Sequence, residues 1–471
     1  MTDTLEIGPD RPVNPPASGR ADWIRRNLFA SPGSAILTLL MLPLSVYVVY
    51  RLFRYVFVTG RWEIARVNLK LFLVGRYPVD ELERVAIALV VIAGFFGIVA
   101  GYGAARRPAT DVDASPRRAG RVALETGGRL WPLILGIALL LALSSSTGPW
   151  LTAGGMVLAA GVGVLIGRAV PPLALPLGLL SALVASVALV LYLIRTIWRG
   201  DIGILDAVLM LVTIGLVVAV AWAAVRARTA TLPLVLLGVE AFVALIVYLS
   251  RPMSTEGWGG LMLNVFLAIA GITLCFPLGV LLALGRRSKL PVLRTLSVLY
   301  IELFRGVPLF VLLLLSYVAL GLFWPVGAEN PGYITRAIVV FTVFTAAYVA
   351  EIVRGGLQSL PKGQTEASQA LGMSPLRTTG FIVLPQALRN VIPALVGQFI
   401  SLFKDTTLAA AAMSLLDLLS ASEAATAQPA FQGQNLSAES TAFVMLLFWI
   451  GCITMSRESQ RLERKLGVGT R

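Results

Sequence analysis

The sequence contains no histidine, only two cysteines (Cys275 and Cys452), and charge on only 14% of its 471 residues. Imidazole and thiolate dominate zinc sites and nucleophilic triads, so their scarcity excludes most metal-dependent and histidine-based catalysis. Both thiols lie inside separate apolar runs, where a free cysteine acts as a small core hydrophobe. There is also no Gly-x4-Gly-Lys-Ser/Thr phosphate loop, so the chain cannot cradle ATP by that device. No basic-then-apolar leader opens it: residues 1–34 are polar with a run of prolines (Pro9, Pro12, Pro15, Pro16), which predicts a cytoplasmic tail.

What is abundant is apolar surface. Some 57% of the residues are hydrophobic and the mean hydropathy is +0.82, whereas soluble domains carry about 25% charged residues. A soluble core cannot hide that much Leu, Val, Ile and Ala, so the solvent must be lipid. A net charge of +14 then reflects Lys and Arg kept in cytoplasmic loops rather than nucleic-acid binding.

A spanning helix needs about 20 apolar residues, and twelve runs qualify: 35–58, 85–105, 130–146, 150–166, 173–194, 202–225, 232–249, 258–284, 296–323, 333–353, 388–403 and 441–455. The expected fold is an all-α integral membrane protein of about twelve transmembrane helices. Arg106, Arg107, Arg117, Arg118, Arg121 and Arg129 mark one cytoplasmic loop, and Arg286, Arg287, Lys289 and Arg294 another. With the basic tail 457–471, this places both termini inside. One loop dissents: 60–84 falls outside by parity yet is nearly neutral, with five basic and four acidic residues.

The organisation expected is a tail (1–34), a two-span region (35–129) with external loop 60–84, a five-span block (130–250), a core (258–456) and the tail 457–471. The block is almost pure Leu, Ala, Val and Gly, and Glu240 is its one mid-span acid. An intramembrane carboxylate marks either function or a bond to a neighbouring helix. No internal repeat links the two halves, unlike many secondary carriers.

The informative text is the loop 354–389. Leu360 to Gly363 reads as a turn, Gln364 to Leu371 as a helix with Glu366 in its first turn, and Gly372 as its left-handed stop. Ser374 with Pro375 opens a second short helix, and Pro385 marks the return to the membrane. Helix–Gly–helix suits a DNA-reading motif or an element that docks into a partner. The second helix, tethered at both ends to spans, carries only Arg377 before Arg389, too little for a phosphate backbone, so no nucleic acid is expected.

Glu366-Ala367-Ser368, three residues, Gly372, nine residues, then Ile382-Val383-Leu384-Pro385 resembles the EAA loop of permease subunits of bacterial ABC importers, E-A-A-x3-G-x9-I-x-L-P. Ser368 for the second Ala is the only departure. The flanking Pro361-Lys362-Gly363-Gln364, Pro385-Gln386-Ala387-Leu388-Arg389 and Lys404-Asp405-Thr406-Thr407-Leu408 are similar to the polar amino-acid branch. Glu302-Leu303-Phe304-Arg305-Gly306-Val307-Pro308, Glu351-Ile352-Val353-Arg354-Gly355-Gly356 and Asn68-Leu69-Lys70-Leu71-Phe72 resemble its general L-amino acid type. The likeness covers about 258–466 strongly and 20–104 weakly.

The resemblance implies a five-helix importer core preceded by about seven extra spans, in a bacterial inner membrane. It implies a separate cytosolic ATPase dimer that uses the ATP, no cofactor bound by this chain, a second related permease and an external amino-acid-binding protein. Glu366, Ala367, Ser368, Gly372, Ile382, Leu384 and Pro385 would couple to the ATPase. Lys404, Asp405 and Thr406, a cation and an anion at a span end, either meet the zwitterionic substrate or pair among themselves and with helix ends. An ion- or proton-coupled amino acid carrier is the competing reading; it needs a carboxylate relay, of which Glu240 is a meagre beginning.

Overall fold

The computed structural model describes residues 27–105, 147–169, 231–249, 257–323 and 331–467, with a few isolated positions between 134 and 218. The chain divides into two compact units, Met1–Trp62 and Glu63–Arg471. In the first, α1 (Pro32–Arg54) starts at a reciprocal cap: the Ser31 hydroxyl accepts from the Ser34 amide at 3.2 Å, and the Ser34 hydroxyl from the Ser31 amide at 2.8 Å. Pro32 occupies the first turn, where no amide bond is lost. A π-turn, Tyr55–Thr59, ends it. None of its side chains is buried, as expected of an all-round apolar helix whose solvent is lipid.

The second unit begins with α2 (Glu63–Val67) and α3 (Leu69–Val74), then α4 (Leu82–Ala105), α5 (Gly148–Ala169) and α6 (Thr231–Leu249). The core follows: α7 (Gly260–Arg286), α8 (Pro291–Gly306), α9 (Leu309–Ala319), α10 (Tyr333–Gln358), α11 (Lys362–Ala370) and α12 (Pro375–Thr378). It closes with α13 (Leu384–Asp405), α14 (Leu408–Met413), α15 (Leu418–Thr426) and α16 (Ser437–Leu466). Among the described residues, seven helices are long and apolar enough to cross a membrane. The runs expected at 130–146, 173–194 and 202–225 lie largely outside the described residues.

The run 296–323 is not one straight helix. Its chain bends by 99° between α8 and α9, because Val307 precedes Pro308 and is forced to an extended φ of −106° and ψ of 136°. The exposed Val292, Leu296, Leu299 and Leu303 form one stripe of α8, the amphipathic pattern of a helix lying along an interface rather than through it. The second difference is at Pro385. The helix that begins at Pro375 does not end there; α12 runs through a π-turn, Thr379–Val383, directly into α13 as one 31-residue rod. The π-turn closes with the Leu384 amide bonded to the Thr379 carbonyl just ahead of Pro385, so the second loop helix is the foot of the span.

α7 and α10 form the centre of the core, with Leu263, Leu267, Ile334, Phe341 and Met413 buried at one end and Cys275, Ile301, Val349 and Leu395 at the other. The nearly neutral segment after α1 is no surface loop. Ile64, Ala65, Phe72 and Tyr77 are fully buried, Phe72 meets Phe443 of α16 edge-on at 5.1 Å, and Gln428 Nε2 donates to Asn68 Oδ1 at 2.7 Å. Its charges stay outside while its apolar face joins the core.

The low-charge block also has a definite attachment. Gly97 and Gly101 of α4 face Ala160 and Val164 of α5, and Gly163 and Gly167 of α5 face Gly94 and Ile98 of α4. Two Gly-x3-Gly stripes thus bring the backbones together, the usual way helices associate where no hydrophobic effect drives them. A side chain at Gly167 would fall on the Ile98 carbonyl, whereas one at Gly161 meets nothing. Gly167→Leu is therefore expected to lower the melting temperature in detergent, given that overpacking costs about 1–3 kcal/mol, and Gly161→Leu to leave it unchanged. Equal melting of the two variants would refute this packing. At the end of α6, Tyr77 Oη donates to the Leu249 carbonyl at 3.0 Å and Arg84 to that of Tyr248 at 3.5 Å, satisfying carbonyls that a helix end leaves open. Glu240 accepts from the Ser181 hydroxyl at 2.7 Å, so this acid is bonded to a neighbouring segment.

Candidate functional site

α11 begins after Pro361 and ends where Leu371 and Gly372 turn the chain: the Gly372 amide bonds the Gln369 carbonyl at 2.9 Å and the Met373 amide that of Ser368 at 3.1 Å. Gly372 has φ +77°, the left-handed cap that glycine enters at no steric cost. Ser374 stands at the N-cap of α12, with Pro375 first in the helix, but its side chain makes no capping bond. Ser368 is buried, its hydroxyl 2.8 Å from the Thr365 carbonyl and 3.1 Å from the Thr378 hydroxyl. The residue that departs from the EAA pattern therefore clasps the two helices of the elbow.

The seven loop residues singled out in the sequence fall into two groups. Glu366, Ala367 and Gly372 are exposed at the tip, with Ser368 beneath them. Ile382, Leu384 and Pro385 sit at the root, where Leu384 packs on the α7–α10 core and the Ile382 carbonyl accepts from Gln386 Nε2 at 2.9 Å. Sequence reasoning missed the apolar residues of the tip: Leu371 is 83% exposed, Leu376 84% and Phe381 74%. Large hydrophobes in an otherwise polar loop were the available signal.

Behind the loop, an ionic cluster joins three helix ends. Glu351 of α10 receives Arg354 at 2.7 Å, Arg286 of α7 at 2.6 Å and Arg305 of α8 at 3.8 Å. Glu302 pairs with Arg286 at 3.1 Å rather than with Arg305 three residues on.

At the opposite end of the bundle, Lys404 is exposed, Asp405 half-buried and Thr406 fully buried. Thr406 Oγ1 accepts from Asn264 Nδ2 at 3.0 Å, and Asn264 also reaches Asp417 Oδ2 at 3.4 Å and accepts the Leu418 amide at 2.8 Å. Asp417 caps α15 by accepting the Ser420 amide at 2.8 Å. This network ties α7, α13 and α15 together, and the sequence signal was a lone Asn in an apolar run. Burial pushes the Asp417 carboxyl up to about 6, against the hydrogen bonds from Ser420 and Asn264, which lower it.

With a folded pKa above the unfolded value, Asp417 contributes stability that is complete below pH 4 and lost as the pH rises through about 6. The purified protein should melt lower at pH 7 than at pH 5, by an amount bounded at about 3 kcal/mol for two pKa units. Asp417→Asn should flatten that slope; an unchanged slope would rule the group out as its source.

Apolar spans, an ionic cluster and an exposed two-helix elbow at the foot of one span define a multi-pass membrane permease component. The family model for the binding-protein-dependent transport system inner membrane component matches residues 275–468. The glutamate/glutamine/aspartate/asparagine transport system permease protein BztC of Rhodobacter capsulatus is 33% identical over 99% of this chain and 99% of its own length. The inner membrane amino-acid ABC transporter permease protein YhdY of Escherichia coli is 48% identical over 217 residues, 46% of this chain and 58% of that one. BztB, the glutamate/glutamine/aspartate/asparagine transport system permease protein of the same Rhodobacter, is 49% identical over 84 residues, 18% of this chain and 20% of its own. The chain belongs to the family of amino-acid ABC importer permeases of the inner membrane, and the carrier reading has no support among these relatives. The match to BztC covers nearly the whole chain, so residues 130–250, for which the family resemblance offered no role, have a counterpart there.

Proposed function

We propose that this chain forms one part of an amino-acid translocation path, and that its elbow, residues 354–389, seats in a separate cytosolic ATPase dimer that hydrolyses the ATP. The observation that carries this reading is the tip, where Leu371 and Leu376 flank Gly372 at more than 80% exposure. Glu366, Ala367 and Gly372 make the contact, Ser368 holds the angle, and Ile382, Leu384 and Pro385 pass the motion into the rigid foot of α13. ATPase closure then biases the core between two states, which requires contacts that differ between them. A second related permease completes the path and an external binding protein delivers the solute. Both termini and the elbow are cytoplasmic; the Lys404 end faces outward. The names of BztC and BztB support glutamate, glutamine, aspartate and asparagine within a broad L-amino acid range, and Lys404, Asp405 and Thr406 border the outer end of the path.

The test is to purify the tagged chain in mild detergent and identify its companions. An ATPase, a second permease and a binding protein are expected with the wild type. The double variant Leu371→Ser, Leu376→Ser should lose the ATPase and keep the permease. Retention of the ATPase would remove the tip from the interface.

A further inference from the structure

The end of the bundle opposite the elbow holds a cavity of about 760 Å³, lined by Arg76, Trp258, Tyr333, Arg336, Ser414 and Ser420 among others. Beside it two backbones meet without side chains: Gly75, at φ +63°, lies so close to Gly259 that an added Cβ would stand 2.5 Å from the Gly259 Cα. That approach swings Arg76, the next residue, to the cavity wall.

Among the described residues the only charged side chains in the lining are the cations Arg76 and Arg336. Arg336 is only 7% exposed, and its guanidinium donates to the carbonyls of Pro331 at 2.8 Å, Ser316 at 3.3 Å and Tyr317 at 3.0 Å, with the Tyr333 ring 5.3 Å away. All of these partners are neutral and Arg336 is in no ion pair among the described residues, a costly state for a buried cation. Arg76, exposed and contributed by another segment, is in no ion pair among the described residues. Gly332 and Tyr333, which open the 26-residue α10, line the same space, as do Gly257 and Trp258 just ahead of α7, and helix N-termini add partial positive charge. The neighbouring carboxylate, Asp417, is fully buried and turned to Asn264 and the Ser420 amide. Among the described residues no carboxylate belongs to the lining.

We propose that this cavity is an entry subsite for amino acids of net negative charge, with the buried Arg336 receiving a carboxylate and the exposed Arg76 selecting charge. The inference rests on the importer reading and narrows it: a solute carrying a second carboxylate is favoured, a neutral one passes without that advantage and a cationic one is repelled.

The test uses the complete transporter in proteoliposomes with ATP inside the lumen matching the cytosolic side, comparing L-glutamate and L-glutamine uptake at saturating binding protein. Arg76→Gln should lower the ratio of glutamate to glutamine uptake by about three- to tenfold, the range for one unit charge a few ångströms from another at a wet site. Arg76→Glu should lower it further and raise L-lysine uptake relative to glutamine. Arg336→Gln should act in the same direction, but because Arg336 also holds the end of α9, Arg76 is the decisive position. An unchanged ratio in both Arg76 variants overturns the inference while leaving ATP-driven uptake standing. Equal loss for glutamate and glutamine overturns it as well, since it would make Arg76 a contact for the binding protein. Absence of ATP-dependent uptake by the wild type would bring down the importer reading and this inference with it.

Discussion

Gly372→Asp is expected to abolish amino-acid uptake while the chain stays in the membrane at its normal level. The position is open: an added Cβ would meet nothing within 4 Å, and φ is +77°. The local cost is therefore conformational and of order 1 kcal/mol, far too small to unfold the protein. Asn and Asp tolerate the left-handed region about equally, so Gly372→Asn supplies the control. It should keep a substantial fraction of uptake, because it brings the same backbone cost without placing a charge between Leu371 and Leu376. Uptake should fall below about a tenth of wild type for Asp, since an unpaired charge forced into an apolar interface costs several kcal/mol. If both variants transport equally well at equal expression, Gly372 is a helix cap and nothing more.

Glu351→Ala should have the second largest effect, through stability as well as transport. Three arginines converge on this one carboxylate, which is 15% exposed, whereas the neighbouring Glu302 is 58% exposed. Removing a buried partner strands the opposite charges, at about 3–5 kcal/mol for a fully buried pair; partial solvation reduces this to about 2–3 kcal/mol. Glu302→Ala removes an exposed pair, worth about 0–1 kcal/mol. The two variants should therefore separate clearly in a thermal melt in detergent, with Glu351→Ala also leaving the end of α10, and hence the elbow, poorly held. Coincident melting curves would show that the cluster is a surface feature.

Much of this was legible because apolar length, glycine and proline act locally. The stop at Gly372 and the start at Pro375 follow from backbone stereochemistry within a few residues, and the structure builds both. Pro385 stands in the first turn of α13, at the return to the membrane that it marks in the sequence; the π-turn five residues long that joins α12 to α13 without a break has no such local signal. Val307-Pro308 misled, since hydropathy counts apolar residues and ignores the bend between them. Asn264, Thr406 and Asp417 were invisible as a set because they are brought together over more than 140 positions, and no period or motif connects them. For the loop 60–84, near-neutral charge hides two short helices whose Ile64, Ala65 and Phe72 enter a core that the sequence does not display.

That segment has a consequence for how the protein is made. Asn68 and the Gln428 that bonds it are separated by 360 positions, and Phe72 waits on Phe443. At roughly 5–20 residues per second of synthesis, about 20–70 s elapse between the emergence of the two partners. During that interval Phe72 lacks the Phe443 ring and Asn68 its Gln428 partner, while Tyr77 waits only for Leu249, 172 positions on, so this part of the nascent chain must either be shielded or rest on the bilayer surface. Slowing translation in the last third should lengthen that window, and quality control in the membrane would see this protein chiefly as an unclosed N-terminal flap.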